Sequence, residues 1–445
     1  MKPYDWQQPI VDKITKSLAD NRYAINASRT GAGKTVMALA SARDLALRGL
    51  IKCVFVICPK VAKSQWLWTA EQMGINGLLV TNPERISRGL LIGGYGFSKE
   101  TDRWILPHGT LVIWDEPHRS ASGIMSKATE AMAKIKLVPN SRLLAMSATL
   151  ADSPLKMRGI GYWAGFHNFA KSSFYRWCGQ HGCFLATMNG RSMWAFTKNK
   201  KSATYHMEKI REAFGKAYQA LDTKDIPNFP EETLEVVRMD MQESDKKELE
   251  ETYAAMSERM KQKGKSELAE TLRMRERIEF CKSPAISDLV VSHISDGKSV
   301  VVFCNFTSAR ERLAEMIHEK LPKEAIGMIY GAQSEEERQK DVDAFQANET
   351  HIMLVMTAAG GAALSLHDTK HERQRVSLIT PSFNAAEVRQ ALGRIRRCNG
   401  TSVEQYFVLA AGTVEDRVAD RLAGKLACID SLNDNDLMES ITTEE

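Results

Sequence analysis

The feature that most constrains this chain is a rhythm of short, continuous apolar runs separated by longer stretches of helical periodicity. The first half carries "YAINAS", "CVFVIC", "LLVTN", "TLVIWD" and "RLLAMS"; the second carries "SVVVFCN", "AIGMIY", "HIMLVM", "RVSLIT" and "QYFVLA". Runs of this length without polar alternation suit strands buried on both faces, and the helical intervals between them suit crossover connections. Each half therefore reads as a parallel α/β sheet. Helix stops fall where such a pattern needs them, as where Gly49 closes "KTVMALASARDLALRG".

Between the two sets lies a different region, roughly residues 161–285. Asn189-Gly190 between the alternating runs of "CFLATMNGRSMWAF" predicts a hairpin. A basic stretch, "TKNKKSATYHMEKIREAFGK", comes next. Pro227 and Pro230 then suggest an extended connector, and a charged helical segment runs to "RERIEF" with a break at Gly264. The reading is two lobes, 1–232 and 233–445, with a hairpin insertion at about 161–230 in the first. A length of 445 residues is comfortable for two cores. The acidic end, "NDNDLMESITTEE", is expected to fray.

Composition narrows the class. No apolar run approaches the roughly 20 residues a membrane helix needs, and "MKPYDWQQPI" has no signal-peptide core, so an intracellular, cytoplasmic location without membrane contact is expected. Eight cysteines scattered through apolar runs suit reduced, buried thiols. In "CGQHGC", Cys178, His181 and Cys183 supply three potential zinc ligands with no obvious fourth after them. Net charge is only +5, so any nucleic-acid surface must be a local groove.

The chemistry concentrates in three places. "SRTGAGKT" comes after the first apolar run and opens a helical pattern, as a phosphate-cradling loop does. Gly31, Ala32 and Gly33 leave backbone N–H groups free to face phosphate oxygens; Lys34 brings charge to the β/γ phosphates, and Thr35 offers a hydroxyl to magnesium. Ser28 stands where the standard loop begins with glycine. "TLVIWDEPH" ends a buried run with two carboxylates, placing Asp115 to hold magnesium and Glu116 to accept a proton from the attacking water. In "EVRQALGRIRRCNG", Gln390, Arg394 and Arg397 fall near one face of a helix. Their guanidiniums either stabilise charge on a transferred phosphoryl group or line a solvated basic face; the residues alone leave both readings open.

Taken in order, these pieces resemble the superfamily 2 helicases. Gln7 resembles the upstream glutamine that reads adenine; "SRTGAGKT" matches motif I, "VICPKVAKSQW" motif Ia and "VTNPERI" motif Ib. "DEPH" matches motif II in its DExH form, "SAT" motif III, "VVVFCNF" motif IV, "MTAAGGAALSL" motif V and "QALGRIRR" motif VI. Ser28 is ordinary in that company. "SATLADSPLKMRGIGYW", "FYRWC" with its hairpin, and "PSFNAAEVRQALGRIRR" resemble the Swi/Snf-type translocases of the annealing-helicase branch, although "SAT" replaces their usual motif III and Ser365 a common asparagine.

The resemblance implies two tandem RecA-like lobes with an ATP cleft between them, ATP and magnesium as cofactors, and nucleic acid crossing both lobes. It implies backbone contacts from Lys60, Ser64, Asn82, Arg85 and Thr357, with His118, Ser147 and Thr149 linking the cleft to that track. Asn189 with Lys198, Lys200 and Lys201 forms either a junction-contacting element or a stabilising hairpin with a solvated flank. Trp194 and Phe196 either stack on a splayed base or pack on the first lobe. The function expected is an ATP-driven DNA helicase or translocase that unwinds, anneals or migrates branches, a compact repair or recombination motor of phage type. A DExH RNA helicase, and an ATPase subunit serving a partner nuclease, are the alternatives.

Overall fold

The computed structural model describes residues 1–121, 126–148, 150–188, 191–239, 247, 251, 267–360, 364–382, 384–411, 413 and 415. The chain divides into two compact units, the first reaching Pro227 and the second beginning at Asn228.

The first unit contains β1 (Tyr23–Asn26), β2 (Cys53–Ile57), β3 (Leu79–Thr81), β4 (Gly96–Ser98), β5 (Arg103–Ile105), β6 (Thr110–Asp115), β7 (Arg142–Met146), β8 (Cys183–Met188), β9 (Arg191–Phe196) and β10 (Tyr218–Gln219). Six of them form a wholly parallel sheet in the order β10-β1-β7-β6-β2-β3. The five apolar runs of the first half supply all its strands but β10. Every residue of β7, and every residue of β6 but Asp115, is buried, as a strand covered on both faces must be. Helix Lys34–Leu47 comes directly after the phosphate loop, and Gly49 adopts φ +71° just past its end.

Three features escaped the apolar rhythm. β4 and β5 form a small antiparallel sheet, pinned by the packing of Trp104 against Phe55 and Phe97. β10 is two residues long, too short for any periodicity, and joins the sheet edge beside β1. β8 and β9 pair antiparallel from Cys183↔Phe196 to Met188↔Arg191, the hairpin that the sequence predicts; its turn, with Asn189, lies outside the described residues.

The second unit holds β11 (Glu232–Met239), β12 (Ser299–Cys304), β13 (Ile326–Ile329), β14 (Ile352–Met356), β15 (Arg375–Ile379) and β16 (Val403–Ala410), parallel in the order β11-β16-β15-β12-β14-β13. β11 is an edge strand whose polar-apolar alternation, "ETLEVVRM", was there to be read. The unit begins at Asn228, close to the expected start at 233, and Arg396 binds the connector to it. Its guanidinium donates to the Pro230 carbonyl at 2.9 Å and to Glu232 at 2.6 Å, and stacks over Phe229. Helix Glu267–Cys281 is the described end of the charged segment; Gly264 and the acidic tail lie outside the described residues. Its Glu279 accepts hydrogen bonds from the Asn305 amide (2.7 Å) and the Thr380 hydroxyl (3.1 Å), joining the ends of β12 and β15.

Candidate nucleotide site

Because the strands are parallel, β1, β7 and β6 deliver the residues at their C-terminal ends to one edge of the sheet. The phosphate loop leaves β1, Ser147 ends β7, and Asp115 and Glu116 end β6. This is the edge at which open α/β sheets bind ligands. Gly31 and Gly33 sit at φ +87° and +77°, the left-handed region that side chains disfavour, so the glycine pattern reflects the loop's actual path. Lys34 turns back over the loop, donating to the carbonyls of Ser28 (2.9 Å) and Arg29 (3.1 Å). The ammonium is thus held at the loop's centre.

Gln7 is buried, its Nε2 donating to the Ala32 carbonyl at 2.8 Å and its Oε1 accepting from the Tyr4 amide at 2.9 Å. It seats the N-terminal segment against the loop. An added Cβ on Gly33 would stand 2.3 Å from Gln7 Nε2, which is why a second glycine is needed there.

Glu116 adopts a left-handed conformation (φ +51°) that non-glycine residues seldom take, and its N–H donates to the Met146 carbonyl at 2.8 Å. Its carboxylate accepts from the Ser147 hydroxyl at 2.9 Å and lies 3.1 Å from His118 Nδ1, which is itself 2.8 Å from the Ser147 hydroxyl. Burial alone would raise this carboxyl's pKa. The His118 hydrogen bond and charge, with Lys34 and Ser147, outweigh it and hold Glu116 well below the usual range, as an anion. Asp115 goes the other way, raised by burial and by the Glu116 charge beside it. One oxygen accepts from Trp66 Nε1 at 3.1 Å. The buried Trp66 orients the carboxylate, and sequence reasoning missed it; the only signal was its place at the end of "PKVAKSQW".

Hard oxygens from Thr35 and Asp115, the Lys34 ammonium and a left-handed glycine loop make a donor set of the right chemistry for magnesium and a triphosphate.

In the second unit, Gln390 and Arg394 are buried on helix Ala385–Ile395. The expectation of one helix face for all three residues needs correction at Arg397. The helix ends at Ile395, and Arg396 is extended (φ −100°, ψ 103°) where its side chain reaches for Pro230 and Glu232. Arg397 lies past that break, yet it converges with Arg394: their guanidiniums donate to the same Leu364 carbonyl, at 2.6 and 3.1 Å. Burial lowers Arg397 to about 10, so it stays charged at neutral pH.

The candidate nucleic-acid residues divide. Lys60, Ser64, Lys198, Lys200 and Lys201 are exposed. Asn82 caps helix Pro83–Arg88 by accepting from the Arg85 amide at 3.0 Å, Arg85 donates to the Leu91 carbonyl at 3.1 Å, and Thr357 is buried with its hydroxyl on the Cys304 carbonyl at 3.0 Å. Those three have local tasks. Thr149 lies outside the described residues. Trp194 stacks on Tyr175 (4.8 Å between centroids, 9° between planes), and with Phe196 it packs against the core of the first unit. Of the two readings left open for them, the structure takes packing. Cys178 and Cys183 are buried in the same core.

A glycine loop and a carboxylate pair meet at the edge of one parallel sheet, with a second parallel sheet further along the chain, the α/β arrangement that nucleotide binding calls for. A family model described as "Type III restriction enzyme, res subunit" matches residues 1–152, and one described as "Helicase conserved C-terminal domain" matches residues 281–399. A putative ATP-dependent RNA helicase, L364, of Acanthamoeba polyphaga mimivirus is 25% identical over 98% of this chain and 84% of its own length. S. cerevisiae Dbp5 bound to RNA and ADP BeF3 shares the fold with a TM-score of 0.53 at 11% identity, over 96% of this chain and 88% of that one. The Sulfolobus solfataricus SWI2/SNF2 ATPase core in complex with dsDNA aligns over 98% of this chain and 99% of that chain, with a TM-score of 0.39 and 13% identity. The two family matches, one on each parallel-sheet unit, support a superfamily 2 helicase, a family that uses ATP. Among the described residues, no helix is long and apolar enough to cross a membrane.

Proposed function

We propose that this chain is an ATP-driven DNA translocase or helicase acting on duplex or branched DNA through phosphate contacts. The observation that carries the hydrolytic part is the Glu116 carboxylate, kept anionic by His118 and Ser147 at the strand edge that also presents Lys34. In this reading Glu116 takes the proton of the attacking water, and Lys34 leaves its carbonyl partners to neutralise phosphate charge. Arg394 and Arg397, at present on the Leu364 carbonyl, supply positive charge to the transferred phosphoryl group. Magnesium held by Thr35 and Asp115 would supply charge neutralisation between phosphate oxygens.

Phosphate contacts carry no sequence code, so the motor would act on DNA of any sequence. The choice of DNA rests on the second-unit landmarks around "PSFNAAEVRQALGRIRR". RNA is the second reading, favoured by the name of the mimivirus relative. ATPase rates against duplex DNA, single strands, forks, four-way junctions and structured RNA separate the two. Duplex or branched DNA is expected to stimulate; stimulation by RNA alone would overturn the DNA assignment.

A further inference from the structure

Ser28, where the loop departs from glycine, is buried, and its hydroxyl oxygen accepts a hydrogen bond from the Leu221 amide at 3.1 Å, 193 residues along the chain. Leu221 closes the insertion. Hairpin β8–β9, helix Lys200–Phe214 and β10 lead up to it; β10 pairs Tyr218 with Ile25 and Gln219 with Asn26, and the Ala27 amide donates to the Gln219 carbonyl at 2.7 Å. The insertion therefore ends on the entry to the phosphate loop.

From Ser28 the bonding continues inward. Its amide donates to Asn26 Oδ1 (3.1 Å), the Asn26 carbonyl accepts from the Ser147 amide (3.1 Å), and the Ser147 hydroxyl donates to Glu116 (2.9 Å). Four hydrogen bonds thus run from the end of the insertion to the catalytic carboxylate. A glycine at position 28 could trace the same backbone but would leave the Leu221 amide without its acceptor.

The outer side of the insertion carries exposed lysines around the Asn199-capped start of its helix. Lys200 and Lys201 occupy the first turn of helix Lys200–Phe214, exposed, with Lys198 just ahead of it. Positive charge there opposes the helix dipole, so local stability does not explain it, whereas a phosphate at that position would relieve it. Phe184 and Met193 are also exposed on the hairpin, 48% and 56% respectively, on the face away from the Trp194–Tyr175 stack.

We propose that Ser28 is a positioning residue that couples nucleic-acid phosphates on the lysine face of the insertion to the nucleotide loop and to Glu116. The proposal rests on the motor reading above. Because such coupling is reciprocal, ATP must strengthen nucleic-acid binding by the factor by which nucleic acid strengthens ATP binding.

The test uses the full chain, the nucleic acid that best stimulates its ATPase, and a non-hydrolysable ATP analogue. Ser28→Ala and Ser28→Gly should lower the ratio of stimulated to basal ATPase by about fivefold or more. They should also abolish the effect of the analogue on nucleic-acid Kd while leaving the nucleotide-free Kd unchanged. Lys200→Ala with Lys201→Ala should weaken nucleic-acid binding and flatten its salt dependence, with log Kd against log salt losing a slope of about 2. Adding Ser28→Ala to that pair should reduce the ratio no further. An unchanged ratio and unchanged analogue effect in Ser28→Ala would overturn the coupling. So would an equal loss of basal and stimulated rates alongside a lowered Tm, the signature of a purely structural serine, or full stimulation in the lysine pair. A wild-type chain that no nucleic acid stimulates overturns the motor reading itself, a result distinguishable from the others.

Discussion

Gly33→Ala tests whether the loop works in the geometry described. Alanine must take φ near +77°, which costs about 1–2 kcal/mol for a residue with a Cβ. The new Cβ would also stand 2.3 Å from Gln7 Nε2, so Gln7 must move and give up its 2.8 Å hydrogen bond to the Ala32 carbonyl. That loss is worth about 0.5–1.5 kcal/mol. The sum, about 1.5–3.5 kcal/mol, converts to a weakening of ATP affinity by about ten- to three-hundredfold. Titration with a fluorescent ATP analogue, alongside a thermal melt to confirm folding, reads the effect. A Gln7→Ala background removes the steric part, so Gly33→Ala should there cost only about five- to thirtyfold, the backbone part alone. Wild-type affinity in Gly33→Ala refutes the left-handed loop. A loss of the same size in both backgrounds refutes the Gln7 contact.

Three other side chains give equally direct outcomes. Glu116→Gln should keep ATP affinity and lose at least about a hundredfold in turnover, because a general base contributes roughly that much; single-turnover hydrolysis near the wild-type rate would remove Glu116 from the mechanism. Lys282 is fully buried, with its ammonium 2.8 Å from both oxygens of Glu415 and 2.9 Å from the Val408 carbonyl. Lys282→Ala leaves the Glu415 charge buried and should cost about 3–5 kcal/mol in urea unfolding. Lys209→Ala, which breaks the exposed pair with Glu212, should leave the midpoint unchanged. Equal effects would show that burial is not what makes the first pair matter.

The ten apolar runs were legible because a strand covered on both faces must be apolar throughout, and each one is a strand of a parallel sheet. The left-handed path of the loop after β1 was legible because glycine at positions 31 and 33 marks a backbone that other residues resist. The features that stayed hidden depend on partners far along the chain. Nothing near Trp66 announces that its indole reaches Asp115, and nothing near Ser28 announces Leu221. Arg397 shows the opposite failure: helical spacing continued on paper, while Arg396 found better partners at Pro230 and Glu232 and ended the helix. β10 was invisible for a simpler reason, since two residues hold no pattern.

In the motor proposed, each ATP hydrolysis draws on both units. ATP affinity and single-turnover rate in Arg397→Ala, measured on the full chain with stimulating nucleic acid, put that dependence to trial. Affinity within a few-fold of wild type and a rate reduced about a thousandfold or more are predicted, as for loss of an arginine acting on the transferred phosphoryl group. A near-wild-type rate would contradict it and confine the chemistry to the first unit.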